Sequence, residues 1–221
     1  MDKKKAYGIM AFAMACCVAM AFVETVIEPA YLVKSAIKAV VFLALPLVIA
    51  RAAGIRLWDG VFGLDRKSAA SLLALGLVIY GVILGGYALT RGVFDYASLV
   101  RALSADQRVE GGSFVWVALY ISFCNSFLEE FFFRLVAFLQ LSRYTAKGTA
   151  YAFSSVLFAV YHVAMIGTSF PPALLGLCLA GLTAGGLIFD YVDDRKGNLY
   201  ASWVIHMFAD FAIMTIWYLH L

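Results

Sequence analysis

Seven apolar stretches of membrane-spanning length follow one another along the chain, and they leave few folds open. They run Ala6–Val26, Ala30–Ala50, Ala69–Thr90, Ser113–Leu141, Gly148–Ile166, Pro172–Val192 and Leu199–Leu219. About 20 apolar residues in helical conformation cross the hydrocarbon core of a bilayer. A soluble domain would have to bury all seven runs, yet only 14% of the residues are charged, against roughly 25% in soluble domains. In lipid a segment must satisfy its own backbone hydrogen bonds, which favours helices. The expected fold is therefore all-α: a polytopic transmembrane helical bundle of about seven spans, with no room for a separate soluble domain. The fourth stretch has 29 residues, about 43 Å at 1.5 Å per residue. It must tilt, kink or extend beyond the membrane.

The basic residues predict the topology. Twelve lysines and arginines fall on the side of the N-terminus, whereas Arg91, Arg101 and Arg108 stand opposite, balanced by Asp95, Asp106 and Glu110. This bias places the N-terminus in the cytoplasm and the C-terminus outside. Lys3, Lys4 and Lys5 before the first run resemble the start of a secretory signal. The run is long for a signal core and further spans follow, so it reads as a retained first helix. Lys34 and Lys38 share a face of the second segment at i,i+4 spacing and are expected to snorkel to the interface. The 91–112 connection is long and of mixed charge, either a solvated loop or a lid-like interfacial piece.

Cys16, Cys17, Cys124 and Cys178 lie in apolar segments without CxxC spacing and read as packing residues. There is no internal repeat and no GxxxxGK or GxGxxG phosphate loop. The expected partner is the bilayer, with no nucleic acid.

Against this background the stretch Asn125-Ser126-Phe127-Leu128-Glu129-Glu130-Phe131-Phe132-Phe133-Arg134 stands out. A charge at the centre of a membrane helix costs about 2.5–3.5 kcal/mol on insertion scales, so each one asks for a partner or a function. Glu130 and Arg134 are i,i+4 with the acid first, the favourable order for a helical ion pair. Glu129 has no cationic partner on its own helix. Asn125, four residues before it, shares its face and is placed to hydrogen-bond it. A carboxylate held in such a medium suits general-base chemistry near neutral pH. Deep in other spans lie His162, and His206 with Asp210 at i,i+4 spacing. Asp190, Glu24, Glu28 and His220 sit near span ends, where interfacial or solvated positions account for them. One shared polar cavity would relieve the cost of Glu129, His162, His206 and Asp210 together.

Two chemistries fit such a cluster. In one, Glu129 takes a proton from water, His162 orients that water, and His206 with Asp210 stabilises the oxyanion of an attacked carbonyl. In the other, the histidines and a carboxylate hold a metal that acidifies water. No HExxH pair supports the metal, so no cofactor is expected and zinc is the less favoured alternative. Ser126 and Ser202 lie near the motifs but lack a nucleophile context.

Glu129-Glu130-x-x-x-Arg134, Phe158-x-x-x-His162 and His206-x-x-x-Asp210 resemble, in order and in placement within spans, the three motifs of the CAAX protease and bacteriocin-processing (CPBP, or Abi) family, which includes the type II CAAX prenyl endopeptidases. The resemblance covers roughly Ser113–Leu219. It implies an intramembrane endopeptidase in which Glu129 and His162 activate water, His206 and the Asp210 position form the oxyanion site, and Glu130 and Arg134 support them. The last motif position is Asn in the best-understood members and Asp here. An ionised Asp210 would repel an oxyanion, so it is protonated, orients His206, or binds a metal. The resemblance implies one membrane domain, with N-terminal helices in 1–112 and a catalytic core in 113–221. It also implies a multi-pass protein of a prokaryotic cell membrane, acting on a membrane-delivered peptide, prenylated or leader-bearing. The non-enzymatic alternative is a transporter or bacteriocin-immunity protein that uses the same cluster to bind protons, metal or ligand.

Overall fold

The computed structural model of the protein describes residues 2–55, 57, 66–107, 114–166 and 170–220. Among these residues every regular element is a helix: α1 Lys3–Ile27, α2 Tyr31–Ala52, α3 Arg66–Thr90, α4 Tyr96–Gln107, α5 Phe114–Gln140, α6 Lys147–Ile166, α7 Pro172–Lys196 and α8 Leu199–Tyr218. Six of them, α1, α2, α3, α5, α7 and α8, are long and apolar enough to cross a membrane. The remaining predicted span forms α6, a 20-residue helix packed along α7.

Helix α5 is the axis of the bundle. Phe131, Phe132 and Phe133 are all fully buried. Three consecutive residues of one helix point in three directions, so all can be buried only where neighbours surround the helix. Phe132 stacks on Phe42 of α2 with ring centroids 4.1 Å apart. Phe133 meets Phe158 of α6 edge-on at 5.3 Å. Such pairs add about 0.5–1.5 kcal/mol each beyond area burial. The predicted irregularity of this long segment takes the form of two π-helical stretches, Tyr120–Asn125 and Phe131–Gln140. Between them is one α-helical turn, Ser126–Glu130. Helix α2 carries a third π-helical stretch, Val40–Ala44, two residues after Lys38. Wider turns shift the register of the faces on either side, so both helices re-aim their polar residues beside the site.

Small residues let the outer helices approach closely, as is usual in membranes. A Cβ built on Gly186 of α7 would lie 2.9 Å from the Ser155 Cα of α6, and one on Gly76 of α3 would run into the Phe208 ring of α8. Helices α7 and α8 are joined by the tightest connection. Gly197 ends α7 in the left-handed region (φ +67°), where glycine carries no Cβ penalty, and Asn198 caps α8 by accepting from the Ala201 amide at 3.0 Å.

Part of the predicted 91–112 loop is helical. Asp95 accepts from the Ser98 amide at 3.0 Å and the Ser98 hydroxyl at 2.6 Å, and thereby starts α4. These bonds hold the Asp95 carboxyl below its usual pKa. Its capping position was the sequence signal for this helix. Residues 108–112 lie outside the described residues. His220, expected to be solvated, is half-buried, with Nε2 2.8 Å from the Tyr87 hydroxyl.

Candidate active site

Four helices bring their costly side chains to one place. Glu129 and Glu130 come from the α-helical turn of α5, His162 from α6, His206 and Asp210 from α8, and Lys38 from α2. Glu129, Glu130, Arg134, Lys38, His206 and Asp210 are all buried, and the His162 side chain is 17% exposed.

The two adjacent glutamates have different surroundings. Glu130 Oε2 accepts from Arg134 Nε at 3.1 Å, while Oε1 lies 2.8 Å from His206 Nδ1. Arg134 Nη1 also donates to Ser154 Oγ at 3.0 Å and Asp190 Oδ1 at 3.3 Å. Ser154 Oγ lies 3.0 Å from both Asp190 Oδ1 and the Phe133 carbonyl. Phe158 and Phe189 face the guanidinium at 4.7 and 5.2 Å, close enough for cation–π attraction. Arg134 Nη2 and Asp190 Oδ2 have no hydrogen-bond partner among the described residues.

Glu129 holds its two oxygens apart in role. Oε1 accepts from Lys38 Nζ at 2.5 Å and from Asn125 Nδ2 at 3.0 Å. Lys38 Nζ also donates to Asn125 Oδ1 at 2.6 Å, which closes a triangle. Oε2 lies 3.6 Å from His162 Nε2 and 3.8 Å from His206 Nε2. Those separations are too long for direct hydrogen bonds and admit a bridging water.

The tautomers follow from the far side of each ring. His162 Nδ1 is 2.7 Å from the Phe158 carbonyl, which can only accept, so Nδ1 carries the proton. In the neutral ring Nε2 then presents a lone pair towards Glu129. His206 Nδ1 faces the Glu130 carboxylate, and its Nε2 points to Glu129 and to Asp210 Oδ1 at 3.7 Å. Phe189 stacks on the His206 ring at 5.1 Å and 24°. A further pair of bonds anchors that histidine's helix: Asp193 accepts from the Ser202 amide at 3.0 Å and the Ser202 hydroxyl at 2.9 Å, one turn before His206. Ser202 is thus a structural residue. Ser126 likewise spends its hydroxyl on the Ser122 carbonyl at 2.5 Å.

Several expectations are corrected here. Lys38 does not snorkel: its ammonium turns inward to Glu129, whose charge is therefore balanced from another helix. Lys34 pairs with Glu24 at 2.6 Å, so neither is simply interfacial. Asp190 is fully buried against Arg134. In each case an oppositely charged side chain of a neighbouring helix balances the charge. Lys38 stands seven residues past the start of α2, about 10 Å at 1.5 Å per residue. That depth was the available signal for an inward lysine.

Among the described residues no group of three His, Cys, Asp or Glu side chains is arranged to hold a metal ion. The Lys38 ammonium on Glu129 adds a positive charge to this donor set. What the arrangement offers is a half-free carboxylate, a neutral imidazole with its lone pair turned inward, and a second imidazole flanked by carboxylates.

No curated protein and no solved structure matches the chain. Residues 111–212 match the family model described as Type II CAAX prenyl endopeptidase Rce1-like, and this stretch contains α5 through most of α8. In a chain whose apolar helices make it an integral, multi-pass membrane protein, that segment is similar to the Rce1-like type II CAAX prenyl endopeptidases.

Proposed function

We propose that the protein is an intramembrane endopeptidase that hydrolyses a peptide bond of a membrane-delivered peptide with water activated by Glu129 and His162. The observation that carries this is the position of Glu129 Oε2, 3.6 Å from His162 Nε2 and 3.8 Å from His206 Nε2. A water between Oε2 and the two rings can give its proton to the carboxylate while the His162 lone pair fixes its direction. Burial of the reacting groups strengthens each of these interactions.

His206 serves the opposite charge. With Nδ1 donating to Glu130, Nε2 donates in the imidazolium form, and Asp210 Oδ1 lies 3.7 Å from it. Such a donor stabilises the oxyanion that forms as water adds to the scissile carbonyl. Collapse of that tetrahedral species breaks the C–N bond, and the proton held by Glu129 passes to the leaving amine. Asp210 supports the charge on His206 without touching the substrate oxygen. Arg134 holds Glu130 in place.

The test is cleavage of membrane-anchored reporter peptides, prenylated and unprenylated, by protein purified in lipid nanodiscs. Removal of a general base lowers rates by about 10²–10⁴-fold. Glu129→Gln and His162→Ala are expected to lose at least that much while remaining folded, Glu129→Gln with a lowered Tm because it leaves the buried Lys38 ammonium without its counter-charge. Cleavage is expected to persist in chelator. Wild-type rates in either variant would overturn the assignment.

A further inference from the structure

We infer that Lys38 is a positioning residue of the active site, supplied by a helix outside the family-matched segment. This rests on the proposed role of Glu129 and extends it. Lys38 lies in α2, 91 positions before Glu129, whereas the family match begins at residue 111. Its ammonium, the Asn125 amide and Glu129 Oε1 form a closed triangle with sides of 2.5, 2.6 and 3.0 Å.

The geometry assigns a division of labour within one carboxylate. Both strong donors fall on Oε1, and neither falls on Oε2. Rotation of the carboxylate about its last bond would exchange the oxygens, but the triangle resists it because Lys38 and Asn125 also bind each other. Oε2 is thereby fixed on the side where His162 and His206 stand. The lysine is itself held: its side chain is 5% exposed, and its ammonium lies 5.6 Å from the Phe42 ring centroid and 5.2 Å from that of Tyr161. The same helix also packs against this arrangement, since Phe42 stacks on Phe132 in the turn of α5 after Glu130.

A surface ion pair would leave the carboxylate free to wander. Here the pair is buried, so loss of the cation also leaves an uncompensated charge. The groups that face Glu129 are Lys38 from α2, Asn125 from its own helix, His162 and Tyr161 from α6, and His206 and Asp210 from α8. Cys17 of α1 lies within electrostatic reach. Lys38 is the one amine or guanidinium among them, and it sets the charge balance in which Glu129 works as a base.

The experiment measures kcat and KM against pH in nanodiscs for the wild type, Lys38→Met, Lys38→Arg and Glu129→Gln, with thermal unfolding of each and of Lys38→Met/Glu129→Gln. Misplacement of a reacting group by about 1 Å costs on the order of 100-fold. Lys38→Met is expected to lose about that factor in kcat, with KM within about twofold, and to move the acid limb of the pH profile to higher pH. Lys38→Arg keeps the charge, so the acid limb stays in place, while its bulkier fork lowers kcat. Lys38→Met is expected to unfold more easily than the wild type, and the neutral Met/Gln pair to recover most of that loss. An unmoved acid limb and wild-type kcat in Lys38→Met would overturn the proposal while Glu129→Gln stays inactive. Activity in Glu129→Gln would instead sink the reading on which it rests. If neither methionine variant folds, Lys38→Arg decides: reduced kcat with an unmoved limb supports the role, and wild-type kcat or a moved limb overturns it.

Discussion

Glu129 and Glu130 are neighbours in sequence, equally buried, and members of opposite kinds of polar cluster. Glu130 belongs to a closed network. Both its oxygens are used, at 2.8 and 3.1 Å, and its partner Arg134 reaches on to Ser154 and Asp190 with every side chain fully buried. Glu129 belongs to an open one. One oxygen is tied to Lys38 and Asn125, and the other faces two imidazoles beyond hydrogen-bond distance. The difference teaches that a buried carboxylate is held in place when each of its oxygens has a partner, and available to react when one does not. The closed network joins α5, α6, α7 and α8, and the open one leaves a carboxylate oxygen facing two imidazoles.

That contrast breaks first on its closed side. Arg134→Met leaves Glu130 and Asp190 buried without a cation, and removal of one partner from a buried pair costs about 3–5 kcal/mol. Thermal unfolding in detergent is expected to show a large drop in Tm together with loss of activity. Glu129→Gln unpairs only Lys38 and is expected to show a smaller drop in Tm, with activity lost in a protein that remains folded. If Arg134→Met stayed stable, the closed network would not be what joins the helices.

Smaller effects sharpen the comparison. Gly186→Val forces a side chain against Ser155 of α6, and such overpacking costs about 1–3 kcal/mol. Because Ser155 is the neighbour of Ser154, strain there is expected to reach the Arg134 network before the Glu129 side. It should lower Tm while kcat at low temperature is retained. Asp210→Asn removes the acidic group beside His206 but keeps the shape of the side chain. Its effect on kcat is expected to fall well short of the about 10²–10⁴-fold loss on removing a general base. A loss as large as that of Glu129→Gln would make Asp210 a direct participant.

The smallest effect lies outside the membrane. The Asp95 carboxyl titrates below its usual value because Ser98 donates to it twice. A depressed carboxyl contributes stability in full above its unfolded pKa, about 3.9, and loses it as pH falls through the folded value. The first turn of α4 is therefore expected to fray in that acid range, seen as faster amide exchange at Ser98 and Leu99. Asp95→Ala should show the faster exchange at neutral pH, with cleavage unchanged.

The sequence by itself determined the helical class, the order of the motif-bearing helices and the local pairs. Glu130 with Arg134 and Asn125 with Glu129 are i,i+4 neighbours, and a helix presents such residues on one face whatever surrounds it. The motif residues on α5, α6 and α8 were legible for the same reason, since each is too costly to stand alone in lipid. Which way those faces turn was decided by tertiary structure. Lys38 could end at the interface or at Glu129, and Asp190 at water or at Arg134. The choice depends on helices 91 and 56 positions away along the chain. Three π-helical stretches beside the site shift the register on which spacing arguments depend. Helical periodicity states which residues share a face. Only the packing of one helix against another states what that face meets, and here it made an apparently peripheral lysine the partner of the central glutamate.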